Sequence, residues 1–466
     1  MRVGQIVLRG QILTLGDENI PPIHAPTSGI ITKIVKKKFS FFPNRCFSII
    51  SIKSDGQDKW IDYSSKRDYK FFSLNEIIQL IYNSGVVGLG GSGFLSSKKI
   101  ERSIKQVHTL LINAAESEPY ITTDDCLMQN FSKEVIQGCK VIAWILKIKN
   151  ILIAIGDDKD LAYISIKKEI QSLPNFKIRK IKNKYPSGSS KQLIKILFNK
   201  EIPLGKHSIN LGIIIFNIST VFSIKRSILN REPLIERIIT LSDRNLSYQK
   251  NILVRIGTPI SHILSEFNIK KCDIIMGGPI TGFLVDDLNF PILKTTSSIL
   301  CLKSNLMKNI LERPCIRCTA CSSACPIRLL PEQLYFYSKS LNHEKSREYH
   351  ISECIECGIC EQVCPSNIPL LTYFKKEKMQ LRKIIFQENM SKKSKKLFML
   401  RQHRLYISGL INENIICTNS TVNTTLNNAI VKDEDSNVNI LKKSKYIMKK
   451  ELESAIHRAK LKRNIK

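Results

Sequence analysis

Eight of the chain's cysteines fall into two sets with the same spacing, CIRCTACSSACP from Cys315 and CIECGICEQVCP from Cys354. No other feature restricts the fold so severely, because four thiols crowded into one short turn must bond to each other or to metal. The opening MRVGQIVLRGQ has no long apolar run and no small-residue cleavage site, so no export signal is expected. Thiols in a reducing compartment favour metal ligation over disulfides. Zinc, which takes separated C-x2-C pairs, and a disulfide knot are the weaker alternatives.

Both sets read C-x2-C-x2-C-x3-C-P, the bacterial ferredoxin spacing. Three thiolates two residues apart wrap one corner of a cubane, and the fourth, leaving at a proline-fixed turn, reaches the other cluster. The expected assignment is therefore crossed. Cys315, Cys318, Cys321 and Cys364 hold one [4Fe–4S] cluster, while Cys354, Cys357, Cys360 and Cys325 hold its partner. Gly358 is expected to let backbone amides approach a sulfide. The other six, Cys46, Cys126, Cys139, Cys272, Cys301 and Cys417, stand apart in sequence and read as small buried apolar or incidental surface residues. Two adjacent clusters make a wire for single electrons, and a wire needs a source and a sink.

At 466 residues the chain exceeds one core, and the domain-size prior suggests about three domains. A net charge of +32, from 72 Lys plus Arg against 40 Asp plus Glu, invites a nucleic-acid or membrane-surface reading. The lysines are scattered rather than gathered into one aromatic-interleaved patch, which argues against nucleic acid. The longest apolar stretches, such as INLGIIIFNI, fall far short of the ~20 residues a bilayer-spanning helix needs, so a soluble or peripheral protein is expected.

Along the chain, VGQIVLRGQILTLG and PPIHAPTSGIITKIV read as short strands with Gly and Pro turns. They look like the half-barrel of lipoyl and biotinyl domains, but the hairpin GDENI lacks the modifiable Lys, so a carrier role is not expected. From Leu74 to about Ile224, apolar runs such as TLLINAA, ILIAIG and LGIIIFNI alternate with helical stretches, arguing an α/β domain with a mainly parallel sheet. Within it GLGGSGFLSSKK offers glycines whose amides close on a phosphate, with Lys98 or Lys99 supplying charge; a plain tight turn is the bland alternative. NAAESEPYITTDD follows an apolar run, where open α/β sheets place ligands, and gathers Asn113, Glu116 and Glu118. Carboxylates there suit ribose hydroxyls, a carboxamide or a flavin edge. Asp124 and Asp125 are expected to cap one helix, CLMQNFSKEVIQGCKVIAWIL.

GLGGSGF followed by NAAESEPY resembles the flavin-binding subunit of respiratory complex I. With HAPTSG ahead and the double cysteine motif behind, the order from about Val3 to Lys375 resembles the C-subunit family of Rnf (Rsx) ion-translocating electron transport complexes. The resemblance implies a multidomain α/β fold with small β modules. Its parts are a lipoyl-like barrel-sandwich module over 1–55, an FMN/NADH-binding α/β domain over 74–228, a β-grasp module over 232–300, ferredoxin-type motifs over 305–335 and 344–375, and a basic helical or disordered low-complexity tail over 376–466. Family members usually carry residues ahead of the half-barrel, so the expectation is that either the first module is trimmed or the true start lies upstream. NILVRIGTPISHIL and CDIIMGGPITGF match the β-grasp module, whose glycines are expected only to make turns.

By the same resemblance FMN is held noncovalently, Gly88, Gly90, Gly91 and Gly93 face its phosphate, and Lys99 neutralises it. Asn113 and Glu116 line the flavin, Phe94 and Glu118 contact NADH, and Asn217 and Thr220 add polar contacts. One departure stands in KYPSGSSKQLI, where Ser189 and Ser190 replace two acids of the complex I relatives. The implied function is an NADH-linked electron-transfer subunit, peripheral on the cytoplasmic face of the inner membrane, linking NAD(H), FMN and two [4Fe–4S] clusters. Its implied partners are the other membrane subunits of an Rnf/Rsx-type complex and a ferredoxin-like carrier, with no nucleic acid. The alternative is an iron–sulfur relay or docking subunit without its own flavin. Leu441 to Lys462 returns to helical spacing as a basic amphipathic stretch.

Overall fold

The computed structural model describes residues 1–39, 46–62, 68–243, 248–269, 272–303 and 311–419, with side chains up to residue 408. The stretch at Leu441 to Lys462 lies outside them.

Short strands fill the first module: β1 (Ile6–Val7), β2 (Ile12–Thr14), β3 (Ile23–His24), β4 (Gly29–Lys38) and β5 (Cys46–Ser54). β1, β4 and β5 form one antiparallel sheet, and β2 pairs with β3. Val7, Leu13, Ala25 and Ile31 make their small shared core. Gly29 is required where β4 enters the sheet, because a Cβ there would lie 2.0 Å from the Lys53 carbonyl oxygen.

The α/β domain opens with α1 (Leu74–Asn83), held by a reciprocal Ser73–Glu76 capping box. There follow α2 (Ser96–Ser103), β6 (Thr109–Ala114), α3 (Thr123–Asn130), α4 (Ser132–Leu146), β7 (Asn150–Gly156), α5 (Asp160–Ile170), β8 (Phe176–Ile181), α6 (Ser190–Phe198), β9 (Ile213–Asn217) and α7 (Ile218–Lys225). The four strands are all parallel in the order β8-β7-β6-β9. Side-chain alternation sends Leu110 and Ile112 of β6 into one core and Leu111 into the core on the other face. Both faces are covered, which explains the unbroken apolar runs of the strands. The single helix expected after Asp125 is two: Phe131 leaves helical geometry at φ −131° and ψ 31°, ending α3 and starting α4.

Next come β10 (Glu236–Asp243), β11 (Gln249–Arg255), α8 (Ile260–Glu266), β12 (Cys272–Met276), β13 (Phe283–Val285) and β14 (Ser298–Lys303). They build a mixed sheet in the order β11-β10-β14-β12-β13, with Ile260, Ile263 and Leu264 of α8 packed into its core. Cys272 and Cys301, read as isolated in sequence, are brought together by the β12/β14 pairing, which sets Cys301 opposite Ile274. The Cys301 thiol donates to Cys272, which lowers the Cys272 pKa and raises its own.

The cysteine motifs alternate with short helices: α9 (Ala320–Ser323), α10 (Pro331–Lys339), α11 (His343–Glu348) and α12 (Ile359–Gln362), followed by α13 (Leu370–Asn419). Leu334, Tyr335, Ile351, Ile368, Leu370 and Phe374 are their core. Residues 1–384 make one compact unit, and residues 385–419 are the described part of a second. Among the described residues no helix is long and apolar enough to cross a membrane.

Candidate functional site

The glycine run forms a closed loop, its ends joined by the Val87–Leu95 bridge. Gly88 N–H donates to the Phe94 carbonyl at 2.8 Å, and Gly93 N–H to that of Gly88 at 3.0 Å. Leu89 N–H donates to the buried Thr220 hydroxyl at 2.9 Å, which fastens the loop to α7. A Cβ on Gly90 would come within 3.1 Å of the Asn217 Cβ, so Asn217 and Thr220 support the loop from beneath. The exposed amides of Gly90, Gly91 and Ser92 have no acceptor among the described residues. Three such N–H groups in succession on glycine-rich backbone suit a phosphate.

Lys99 turns the other way. Its ammonium donates to the Ile215 carbonyl and lies 4.8 Å from the Phe216 ring, and burial lowers its pKa to about 8. Phe94 is 42% exposed, with the Arg102 guanidinium 5.5 Å from its ring.

The acidic string stands at the C-terminal end of β6, but its side chains go separate ways. Asn113 Nδ2 donates to the Gly188 carbonyl at 2.7 Å, anchoring the serine-containing turn that precedes α6. Glu116 Oε1 accepts from the Asp124 and Asp125 amides at 2.9 and 3.0 Å, so the glutamate caps α3. Burial, with the Asp124 charge beside it, drives the Glu116 pKa well up. Asp124, expected to cap, is instead buried and accepts from Asn217 Nδ2 at 2.6 Å and Ser219 Oγ at 2.7 Å.

Glu118 is nearly buried, and its carboxylate accepts from the amides of Ile280 and Thr281 at 2.7 and 3.1 Å and from the Thr281 hydroxyl. The glycines of GGPITG therefore do more than turn the chain: a Cβ on Gly278 would meet the Glu118 carboxyl at 2.2 Å.

These contacts enclose a cleft of about 350 Å³ between the α/β domain and the sheet that follows it. Gly90, Gly91, Glu118, Ser189, Gly278 and Thr295 are among its walls, and it reaches Cys357. Gly88, Gly93, Phe94, Lys99, Asn113, Glu116, Asn217 and Thr220 support or flank it without lining it. A second cleft of about 410 Å³ shares Glu118, Tyr185 and Gly188 and extends past Glu116 to Lys159. A third, about 330 Å³, lies behind the loop, where Arg226 and Glu236 pair at 2.7 Å.

Sequence reasoning missed Tyr185, whose hydroxyl donates to the Cys357 carbonyl at 2.6 Å, and Lys294. Lys294 Nζ donates to the carbonyls of Pro22 at 2.9 Å and Gly85 at 2.7 Å, tying three modules together behind the cleft. The partners of Lys294 are remote in sequence, so no local pattern signals it.

The two cysteine motifs share a backbone form as well as a spacing. Arg317, Thr319 and Arg328 have positive φ, as do Glu356, Gly358 and Asn367 at the matching places. Cys315, Cys318, Cys321 and Cys364 line one small cavity together with Tyr335 and Ile368. Burial raises the Cys357 and Cys360 pKa, and Cys325 lies close enough to add to both, as Cys321 does to Cys360. Burial likewise pushes Cys354 up to about 11. Thiols so desolvated ionise when cationic metal takes up their charge. Among the described residues no three His, Cys, Asp or Glu side chains converge to hold a single ion. Four thiols of the two repeated motifs around one small cavity suit a 4Fe-4S cluster.

The Nuo51 FMN-binding domain family matches residues 81–226, and the 4Fe-4S dicluster domain family matches residues 314–368. A protein from Buchnera aphidicola subsp. Baizongia pistaciae, named as the C-subunit of an ion-translocating oxidoreductase complex, is 53% identical over 87% of this chain and 81% of its own length. Its namesake from Buchnera aphidicola subsp. Acyrthosiphon pisum is 45% identical over 99% of this chain and 95% of its own. That from Erwinia tasmaniensis is 42% identical over 87% of this chain and 51% of its own. With the glycine loop, the cleft and the paired cysteine turns in one compact unit, the chain belongs to the C-subunit family of ion-translocating oxidoreductase complexes, with an FMN-binding domain and a 4Fe-4S dicluster domain.

Proposed function

We propose that the chain passes electrons between NAD(H), noncovalent FMN and two [4Fe–4S] clusters, as a peripheral subunit on the cytoplasmic face of an inner-membrane complex. The observation that carries this reading is the cleft itself, whose walls include Gly90 and Gly91 of the loop as well as Cys357. When bound, FMN converts between the paired electrons of a hydride and single electrons, and the clusters carry these singly.

The protein supplies position and electrostatics. The amides of Gly90, Gly91 and Ser92 would hold the FMN phosphate, with Gly88 and Gly93 closing the loop beneath them. Lys99 contributes through the β9 carbonyl that it holds. Asn113 and Glu116 set the floor on the flavin side by fixing the Gly188 turn and the start of α3, with Asn217 and Thr220 below the loop. Glu118 closes the cleft toward the next sheet, where it and Phe94 at the rim stand nearest an incoming nicotinamide. Tyr185 holds the Cys354 turn against the cleft through the Cys357 carbonyl. Cys315, Cys318, Cys321 and Cys364 would ligate one cluster, and Cys354, Cys357, Cys360 and Cys325 the other; the shared small cavity supports the first set.

The modular division follows the same reading. A lipoyl-like module spans 1–55, the FMN/NADH domain 74–228, a β-grasp module 232–300, the ferredoxin-type motifs 305–335 and 344–375, and a basic tail 376–466. Partner membrane subunits and a ferredoxin-like carrier complete the path. The inward turn of Lys99 and the serines at 189 and 190 favour one rival, an iron–sulfur relay without flavin. Anaerobic purification decides between them. About eight iron, eight sulfide and one FMN per chain, with NADH bleaching the flavin band, is the expected result. Full cluster content without flavin would replace this reading with the relay.

A further inference from the structure

The two cysteine motifs repeat in spacing but not in surroundings. The Cys354 turn is covered by the α/β domain and the sheet after it: Tyr185 holds the Cys357 carbonyl, Lys191 donates to the Glu353 carbonyl at 2.9 Å, and Gly358 packs on Ile280. The Cys315 turn is less covered, and of the eight motif cysteines Cys318 alone is exposed. The helices that follow begin alike, α10 at Pro331 and α13 at Leu370, each six residues past the fourth cysteine of its motif. Glu332 and Tyr335 on α10 therefore match Leu371 and Phe374 on α13.

The carboxyl in place of an apolar side chain falls beside one set of thiols. Glu332, Tyr335 and Thr319 line the small cavity that gathers Cys315, Cys318, Cys321 and Cys364. In the other half Leu371 and Phe374 are buried, and a Cβ on Gly358, which matches Thr319, would stand 3.4 Å from Leu371. The Tyr335 hydroxyl is already engaged, by Glu312 at 2.8 Å and Lys339 at 2.7 Å. Glu332 is not: its Oε2 is buried and meets no hydrogen-bond donor among the described residues, and no Lys or Arg there pairs with it. Burial raises the Cys321 pKa, and the Glu332 charge adds to the rise. The acids of the other turn are all taken up: Glu353 pairs with Lys191, Glu356 with Lys378, and Glu361 accepts from the Leu371 amide at 2.9 Å.

We propose that the Glu332 carboxylate lowers the reduction potential of the cluster held by Cys315, Cys318, Cys321 and Cys364, and leaves that of the Cys354 set nearly untouched. The proposal rests on the cluster reading of these thiols. The cysteines supply the ligands, and Glu332 acts only through its charge. Reduction adds one electron to the cluster with no bond made or broken, so the new negative charge meets the carboxylate across a small, mainly apolar cavity. Like charges repel more strongly there than in water, because little polar material screens them. A carboxylate without a counter-ion beside one cluster, and leucine at the matching place of the other, tilt the equilibrium between the two. The electron leaves the Cys315 cluster, which is oxidised, for its partner, which is reduced, more readily than it would without a charge at Glu332.

The test is a redox titration of the full chain, purified anaerobically with its clusters, using dithionite and mediator dyes and followed by electron paramagnetic resonance at pH 8. Cys318→Ala and Cys354→Ala, each breaking one set, assign the two components. Glu332→Gln should favour the reduced form of the Cys315 component by about tenfold at a fixed potential, a rise of about 59 mV for one electron, and move the other component less than about twofold. Glu332→Asp keeps the charge and should stay within about threefold of the wild type. Glu344→Gln, at an exposed position on α11, should move neither component by more than about twofold. If Glu332→Gln loses iron, Glu332→Leu, the side chain found at the matching place, replaces it. A shift below about twofold, equal shifts of both components, or the same shift from Glu332→Asp as from Glu332→Gln would overturn the proposal. Iron and sulfide analysis of the same samples keeps the two readings apart. Full cluster content with unmoved potentials removes the role of Glu332 alone, whereas a wild type without clusters removes the assignment beneath it.

Discussion

Lys294→Met removes a side chain that joins the first module, the α/β domain and the following sheet behind the cleft. In the wild type its nitrogen donates to the carbonyls of Pro22 and Gly85 at 2.9 and 2.7 Å, and burial lowers its pKa to about 7. The neutral amine still has two hydrogens, one for each carbonyl. Methionine fills the volume but donates nothing, and each stranded carbonyl costs about 1–3 kcal/mol, so a loss of about 2–6 kcal/mol is expected. The loss should depend on pH. The unfolded lysine keeps its proton up to its ordinary pKa of 10.5 while the folded one releases it near 7, so wild-type stability rises across that window. The rise approaches about 1.4 kcal/mol per pH unit and vanishes below pH 7. His24, pressed down to about 4 by burial and by Lys294, stays neutral throughout and does not compete. Guanidinium unfolding of wild type and variant at pH 7, 8 and 9, followed through Trp60 and Trp144, measures the difference. It should widen as pH rises. A loss below about 1 kcal/mol that is the same at all three values would refute the account of Lys294 as a buried, deprotonated tie.

Cys325→Ala should damage the cluster of the Cys354 set more than that of its own motif, and electron paramagnetic resonance resolving the two would show it; selective loss of the Cys315 signal refutes crossed ligation. Glu118→Gln should slow NADH oxidation with FMN content near normal, because the amide weakens the hold on Ile280 and Thr281; equal loss of FMN would place Glu118 on the flavin instead. Gly278→Ala should be more severe, since its Cβ would enter the space of the Glu118 carboxyl and Cβ, and the double variant Gly278→Ala with Glu118→Gly, which clears both, should recover stability. Glu116→Gln keeps an oxygen for the Asp124 and Asp125 amides and removes a raised carboxyl, a group whose folded form holds its proton longer and so loses stability as pH rises. The variant should match or exceed the wild type in unfolding at pH 8, and a loss of several kcal/mol there would contradict a Glu116 carboxyl that burial and Asp124 hold well above its ordinary range.

Local physics made part of this molecule legible without any structure. A cysteine spacing is a statement about the reach of consecutive residues, so the two turns and their repeat were readable from Cys315 to Cys364. The alternation of apolar runs with helical stretches likewise announced a parallel sheet, because strands covered on both faces need no polar side. The family resemblance rested on the same short motifs. What the motifs left open was the direction of each side chain and the identity of its distant partner. Lys99 follows the glycines as a phosphate partner should, yet only the approach of β9 offered it the Ile215 carbonyl. Glu118 and Gly278 are far apart in the chain, and their contact exists because two separate sheets pack edge to loop at the cleft. Asp124 reads as a helix cap until α7 brings Ser219 and Asn217 against it. Cys272 and Cys301 look solitary until strand register joins them. The same holds for exposure: two motifs with one spacing differ in what covers them, which depends on packing that no local pattern encodes. Sequence determined the chemistry this chain carries, while tertiary structure decided which groups remain free to use it, because hydrogen-bond partners and burial are properties of packed neighbours rather than of residue order.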